Sequence, residues 1–160
     1  MTSAYLVIDK NEHPVDWQDS ESIKVFKYPL DYFQKLAIRA MNQNENVMAC
    51  VATGSGKSTL ADYAIALCFS KGKRVIFTSP IKALSNQKYK EFKEAYGEQN
   101  VGLMTGDIKF NPDAPCLIMT AEILRNLLYK HKSYTKELGI TSQLSLQDVD
   151  TVIMDEVHYI

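Results

Sequence analysis

The stretch "VATGSGKST", Val51 to Thr59, lies between a continuous apolar run, "NVMACVA", and a helical pattern that begins near Lys57. It restricts the possible folds more than any other feature of the chain. An unbroken apolar run predicts a strand buried on both faces. Such a strand, feeding a glycine-rich turn and then a helix, predicts the strand–loop–helix unit of a parallel α/β protein. Gly54 and Gly56 allow backbone conformations closed to other residues, and so bring N–H groups close to phosphate oxygens. The helix N-terminus adds its positive dipole end. Lys57 is then placed to reach β- and γ-phosphates and Ser58 to ligate Mg²⁺, with Thr53, Ser55 and Thr59 in the same cofactor-binding set. Val51 stands where the usual pattern has Gly or Ala, and a β-branched residue there fits a strand end but crowds the loop.

The rest of the chain repeats the alternation. Residues 1–24 read as an N-terminal segment with a short strand at "YLVI". A helix is expected from Leu30, because Phe33, Leu36, Ala37, Ala40 and Met41 recur at helical spacing. After the helix from Lys57, "RVIFTS" reads as a buried strand that Pro80 ends, and Ile81, Tyr89, Phe92 and Tyr96 mark another helix. "VGLMT" reads as a strand, "GDIKFNPDAP" as a loop, "CLIMT" as a strand, and "AEILRNLLYK" as a helix with Thr120 as N-cap. Residues 131–148 are polar and aperiodic, the pattern of a surface loop insertion, and "TVIMD" is the last strand. Buried strands alternating with helices predict a mainly parallel sheet covered on both faces, with ligands at the carboxyl ends of the strands.

Bulk properties narrow the function classes. The chain has 160 residues, enough for one domain with a core, and no apolar run long enough to cross a bilayer. Its N-terminus lacks a basic region followed by a long apolar segment, so no secretory signal is read. Cys50, Cys68 and Cys116 lie apart in apolar segments without CxxC spacing, which reads as core thiols in a reducing, intracellular compartment rather than a metal site. The net charge of −1 gives no overall electrostatic footprint for nucleic acid. Any such binding must be local, and the lysines at 82, 88, 90 and 93 are interleaved with Glu91 and Glu94.

"VIMDEVHYI" closes the chain. Asp155 ends an apolar strand, where a carboxylate can hold Mg²⁺ through its water shell opposite Ser58. Glu156, one residue on, can polarise the water that attacks a γ-phosphate. Together with the phosphate loop, the pair suits metal-assisted phosphoanhydride hydrolysis.

With these residues in hand the chain resembles the superfamily-two helicases of the DExH type, and more narrowly the Ski-like RNA helicases that act with the exosome. "YPLDYFQKLAI" is similar to the adenine-recognition segment of that family. The resemblance implies that Gln34 bonds the adenine edge and that Phe26 or Tyr28 stacks on it. "TSPIKALSNQKY", "LMTGD" and "MTAEILRNLLY" resemble the family's RNA-contacting motifs, and "DEVHYI" its motif II, in which His158 would couple nucleotide state to a neighbouring lobe. Physical reasoning points the same way. Pro80, Ile81, Lys82 and Ala83, then Thr105, Gly106 and Asp107, then Thr120, Glu122 and Arg125, fall at strand ends. A row of such ends makes a sequence-tolerant surface for a single strand of nucleic acid.

The resemblance covers residues 25–160 and implies a RecA-like P-loop NTPase domain that is incomplete, ending after motif II. It implies ATP and Mg²⁺ as cofactors. As partners it implies single-stranded RNA, a second RecA-like lobe supplying arginines, and an exosome-type complex, with no membrane. Hydrolysis would drive 3′-to-5′ unwinding. Absence of the arginines costs on the order of 10³-fold or more in rate, so the chain alone is expected to be inactive. Two alternatives stay open: a truncated or split product that only binds nucleotide or nucleic acid weakly, and a DNA helicase of the same superfamily.

Overall fold

The computed structural model describes residues 16–52, 54–133, 146 and 148–157, with backbone alone for 130–133. They fall into two compact units, residues 1–67 and 68–160.

In the first unit a 3₁₀ turn, Asp19–Glu21, precedes helix α1, Tyr32–Asn42, and helix α2, Lys57–Ser70, begins. Helix α1 starts two residues later than the periodicity predicts, because Asp31 is extended and forms a reciprocal capping box with Gln34. Its buried residues are Gln34, Ala37 and Ile38. Only Ala37 belongs to the stripe expected from the apolar pattern. The expected strand at "NVMACVA" does not form: residues 46–52 carry no strand, and Val47 and Met48 are exposed. A strand needs a ladder to satisfy its N–H and C=O groups. The first unit has no strand among its described residues, so an apolar run alone was not enough. Cys50 lies in this run and is exposed rather than a core thiol. The expected "YLVI" strand lies outside the described residues.

The second unit is built on a five-stranded sheet. In chain order the elements are β1 Arg74–Ser79, α3 Lys82–Tyr96, β2 Val101–Met104, β3 Lys109–Phe110, β4 Cys116–Thr120, α4 Ala121–Ser133 and β5 Val149–Met154. The sheet order is β3-β2-β4-β1-β5, parallel throughout except for the β2–β3 pair. This is the mainly parallel α/β sheet that the sequence predicts.

Strand β3 was expected to be loop. Met104 pairs with Lys109 and Leu103 with Phe110, and the turn closes through the Thr105 N–H to the Ile108 carbonyl at 2.9 Å. Two exposed residues carry no period-2 signal, so the hairpin is invisible locally. Gly102 makes it possible. A Cβ there would lie 2.1 Å from the Asn111 carbonyl oxygen, so only glycine lets the returning backbone come this close. Helix α4 also runs to Ser133, three residues into the expected insertion, most of which lies outside the described residues.

Alternation along β1 sends neighbouring side chains to opposite layers. Phe77 meets Phe92 of α3 edge-to-face at 5.1 Å between ring centroids, and Phe92 meets Tyr96 at 5.6 Å. Ile76 packs instead with Leu117, Met119 and Leu124, so α4 shares that cluster. Strands β1 and β4 are buried from Val75 to Ser79 and from Cys116 to Thr120. Burial pushes the Cys116 thiol up to about 12, and also raises that of Cys68. Both are inert core thiols. Strand β5 ends the sheet and is only half covered, with Val152 and Met154 each 47% exposed.

Candidate nucleotide site and nucleic-acid interface

The glycine-rich loop of the first unit has the backbone its sequence demands. Gly54 and Gly56 have φ of 80° and 83°, the left-handed region that favours glycine. Ser55 ties the loop back on itself through Oγ to the Ala52 carbonyl at 2.6 Å. The loop runs directly into the first turn of α2, where Lys57, Ser58 and Thr59 sit. Unpaired amides at such a helix start favour an anion.

The segment expected to recognise adenine and the glycine-rich loop share one recess of about 300 Å³, lined by Tyr28, Pro29, Asp31, Gln34, Gly54, Ser55, Gly56, Ser58 and Thr59. Two side chains join its walls. The Tyr28 hydroxyl and the Thr59 hydroxyl are 2.8 Å apart. Gln34, buried to 3% exposure, donates from Nε2 to the Gly56 carbonyl at 3.1 Å and accepts the Asp31 N–H on Oε1 at 2.8 Å. Tyr28 lines the recess and Phe26 does not; the Phe26 ring lies 5.9 Å from that of Tyr28 and 6.5 Å from that of Tyr63. Lys57 donates to the Val51 carbonyl at 3.2 Å, so its ammonium is held by the loop's own backbone. The donors, the glycine conformations and the open space beside Gly54, where an added Cβ would meet nothing within 4 Å, fit a nucleotide's phosphates. Thr53 lies outside the described residues.

In the second unit, Asp155 and Glu156 follow β5. The Asp155 N–H continues the β1–β5 ladder by bonding to the Thr78 carbonyl at 3.0 Å, and the Thr78 hydroxyl donates to the Ile153 carbonyl at 3.3 Å. Glu156 then turns sharply, with φ of 51° and its N–H on the Asp155 carboxylate at 3.0 Å. A non-glycine residue in this region is strained, and such strain gathers at functional turns. Both carboxylates are partly buried. Among the described residues no group of three or more His, Cys, Asp or Glu could hold a metal ion. Metal held through water and one carboxylate needs no such group. His158 lies outside the described residues.

The same unit gathers the expected row of strand ends. Ser79 pairs with Thr120 and Met104 with Met119, so β2, β4 and β1 present their carboxyl ends side by side. Ile81, Lys82, Ala83, Gly106, Asp107, Glu122 and Arg125 are exposed along this edge, and Pro80 is partly so. Lys82 forms an ion pair with Asp107 across the row. Thr105 and Thr120 are buried at 6% exposure, so they shape the edge from beneath, with Thr120 accepting the Ile123 N–H as α4 begins.

Two supporting pairs escaped the sequence reading. Ser85 is fully buried and bonds Ser79 at 2.6 Å, tying α3 to the end of β1. Nothing local distinguishes it from a surface serine. The Asp31–Gln34 capping box did have a signal, since Asp-x-x-Gln before a helical stripe is a helix-start signature.

A parallel sheet with carboxylates at a strand end, in a chain that also carries a phosphate loop, defines a P-loop NTPase of the RecA-like kind. The chain belongs to the DEAD/DEAH box helicase family, whose model matches residues 31–160. It is similar to the antiviral helicase SKI2 of Saccharomyces cerevisiae, 46% identical over 133 residues, which is 83% of this chain and 10% of that protein. It is also similar to the human exosome RNA helicase MTR4, 45% identical over 146 residues, or 91% of this chain and 13% of that protein. The mRNA transport homolog 4 of Caenorhabditis elegans is 47% identical over 140 residues, 88% of this chain and 12% of that protein. Its likeness within the family is thus to the Ski-like type. The chain spans 10–13% of the length of these relatives. Use of ATP with Mg²⁺ is a general property of the family. No helix among the described residues is long and apolar enough to cross a membrane.

Proposed function

We propose that this chain is the ATP-binding part of an ATP-dependent RNA helicase, in which RNA-stimulated hydrolysis drives 3′-to-5′ unwinding. The observation that carries the reading is the loop from Ala52 to Thr59, with two left-handed glycines leading into the start of α2. The family match supports it. Gly54, Ser55, Gly56 and Thr59, with Thr53, bind the phosphates through the backbone and helix start. Lys57 leaves the Val51 carbonyl to contact the β- and γ-phosphates. Ser58 and, through water, Asp155 are the residues that would hold Mg²⁺, which would supply charge neutralisation for the phosphate oxygens. Glu156 orients the attacking water and takes its proton, and His158 links this end of β5 to a second RecA-like lobe. That lobe supplies the arginines that the transferring phosphate requires. Tyr28 stacks on the adenine, with Gln34 at its edge.

RNA runs along the exposed row at the carboxyl ends of β1, β4 and β2. Backbone amides and Lys82 hold phosphates there, and Arg125 adds a cation. An exosome-type complex is the expected assembly, supported by the likeness to the human exosome RNA helicase MTR4.

The test is nucleotide titration with Mg²⁺, using a fluorescent ADP analogue on the protein and on Lys57→Ala. RNA-stimulated ATPase measured in the presence of the second lobe complements it. Binding removed by Lys57→Ala, with turnover removed by Glu156→Gln, is the expected result. Full ATPase in either variant would overturn the assignment.

A further inference from the structure

Residues 16–24 are fastened to α1 and α2 by polar contacts that the nucleotide reading does not use. The Glu21 carboxylate receives both Nε and Nη2 of Arg39, each at 2.7 Å, a bidentate pair. Arg39 also donates to the Asp16 carbonyl. One helical turn along α1, the Asn42 amide donates to the Glu21 carbonyl at 2.7 Å and accepts the Tyr63 hydroxyl at 2.7 Å. Tyr63 is fully buried and stands on α2, six residues after Lys57. The segment then turns through Ser22, whose hydroxyl donates to the Lys24 carbonyl at 2.7 Å. Lys24 pairs with Asp62 at 3.4 Å and lies 5.8 Å above the Phe26 ring. Phe26 in turn sits between Tyr63 and Tyr28.

A surface ion pair by itself adds little stability. This one closes a loop whose far end, Pro29 to Asp31, runs into α1, so it fixes both ends of the stretch that carries Phe26 and Tyr28. We infer that the Glu21–Arg39 clasp, with Asn42 and Tyr63 behind it, is a positioning device that holds Tyr28 ready for the purine base of a bound nucleotide. The inference rests on the reading that the recess takes a nucleotide, and it adds residues upstream of the adenine-recognition segment. Glu21, Arg39 and Asn42 line no part of the recess. They remove the ordering cost of the aromatic face before binding. Phosphate binding, which belongs to the glycine loop and Lys57, does not depend on them.

That separation supplies the test. The affinities of ADP, GDP and inorganic tripolyphosphate, each with Mg²⁺, are measured by calorimetry on the protein, Arg39→Met, Arg39→Lys and Lys57→Ala. Arg39→Met is expected to weaken ADP by about tenfold to a hundredfold, to erode the preference for ADP over GDP, and to leave tripolyphosphate unchanged. Arg39→Lys, which keeps one bond, should fall between. Unchanged ADP affinity overturns the inference. So does an equal loss of ADP and tripolyphosphate by a folded variant, which would mark a purely structural contact. Should Arg39→Met melt below the assay temperature, Glu21→Gln, which keeps the side chain's shape, carries the same comparison. If the protein binds neither ADP nor tripolyphosphate, or Lys57→Ala binds both normally, the nucleotide reading itself fails and takes this inference with it.

Discussion

Gln34 donates to the Gly56 carbonyl while accepting the Asp31 N–H, so one buried amide joins the start of α1 to the phosphate loop. The contact is close on both sides. A Cβ added at Gly56 would lie 2.6 Å from the Gln34 amide nitrogen, at a φ of 83° that already favours glycine. Gly56→Ala is therefore expected to displace Gln34 and abolish nucleotide binding. Gln34→Ala leaves the Asp31 N–H and the Gly56 carbonyl without that partner, a loss of about 1–3 kcal/mol. Chemical denaturation of the two variants, together with ADP titration, checks both outcomes. Gly56→Ala binding ADP as tightly as the parent would contradict the geometry.

Glu156 is expected to trade stability for function. Its left-handed φ of 51° costs roughly 1–3 kcal/mol for a residue with a side chain. Glu156→Gly should relieve part of that strain and raise the melting temperature, while turnover measured with the proposed second lobe present disappears. Glu156→Gln keeps the strain and should lose turnover without the rise. Equal melting temperatures for the two variants would show that the turn is not strained.

Acid titration should expose the Glu21–Arg39 pair. The hydrogen bond from Arg39, followed by that from the Gln18 N–H, holds the Glu21 carboxyl down from 4.5 to about 2. A lowered folded-state value gives a contribution that is complete above the unfolded value and lost as pH falls through the folded one. The melting-temperature gap between the protein and Glu21→Gln should accordingly hold steady above about pH 5, narrow on acidification and close near about pH 2. Thermal melts across that range decide it. A gap independent of pH would remove the carboxylate from the explanation.

Phe92 tests the aromatic layer between α3 and the sheet. It is buried at 7% exposure and packs edge-on against both Phe77 and Tyr96. Phe92→Ala should cost about 3–5 kcal/mol. Phe92→Leu, which fills most of the space, should cost about half that or less. Urea denaturation gives both values. A cost below about 1 kcal/mol for the alanine variant would mean that α3 is held by other contacts.

What the sequence alone determined were the features written into neighbouring residues. The glycine loop, the helices after Asp31, Ser55–Gly56 and Ile81, the buried runs at 74–79 and 116–120, and the carboxylates closing the last strand all depend on spacing and backbone preference within one short stretch. Tertiary structure decided whatever needed a distant partner. The apolar run "NVMACVA" looks like a buried strand, yet residues 46–52 form none, because a strand exists only through hydrogen bonds to another. Lys109–Phe110, with no strand pattern, is a strand because Gly102 lets the backbone return beside β2. Gln34 and Arg39 read as ordinary helix residues. Their commitments to Gly56 and Glu21 arise only when segments 18 to 22 residues apart are brought together. Local preference is set by a residue and its neighbours, whereas pairing is a property of two segments at once, and a single segment's sequence specifies only one of them.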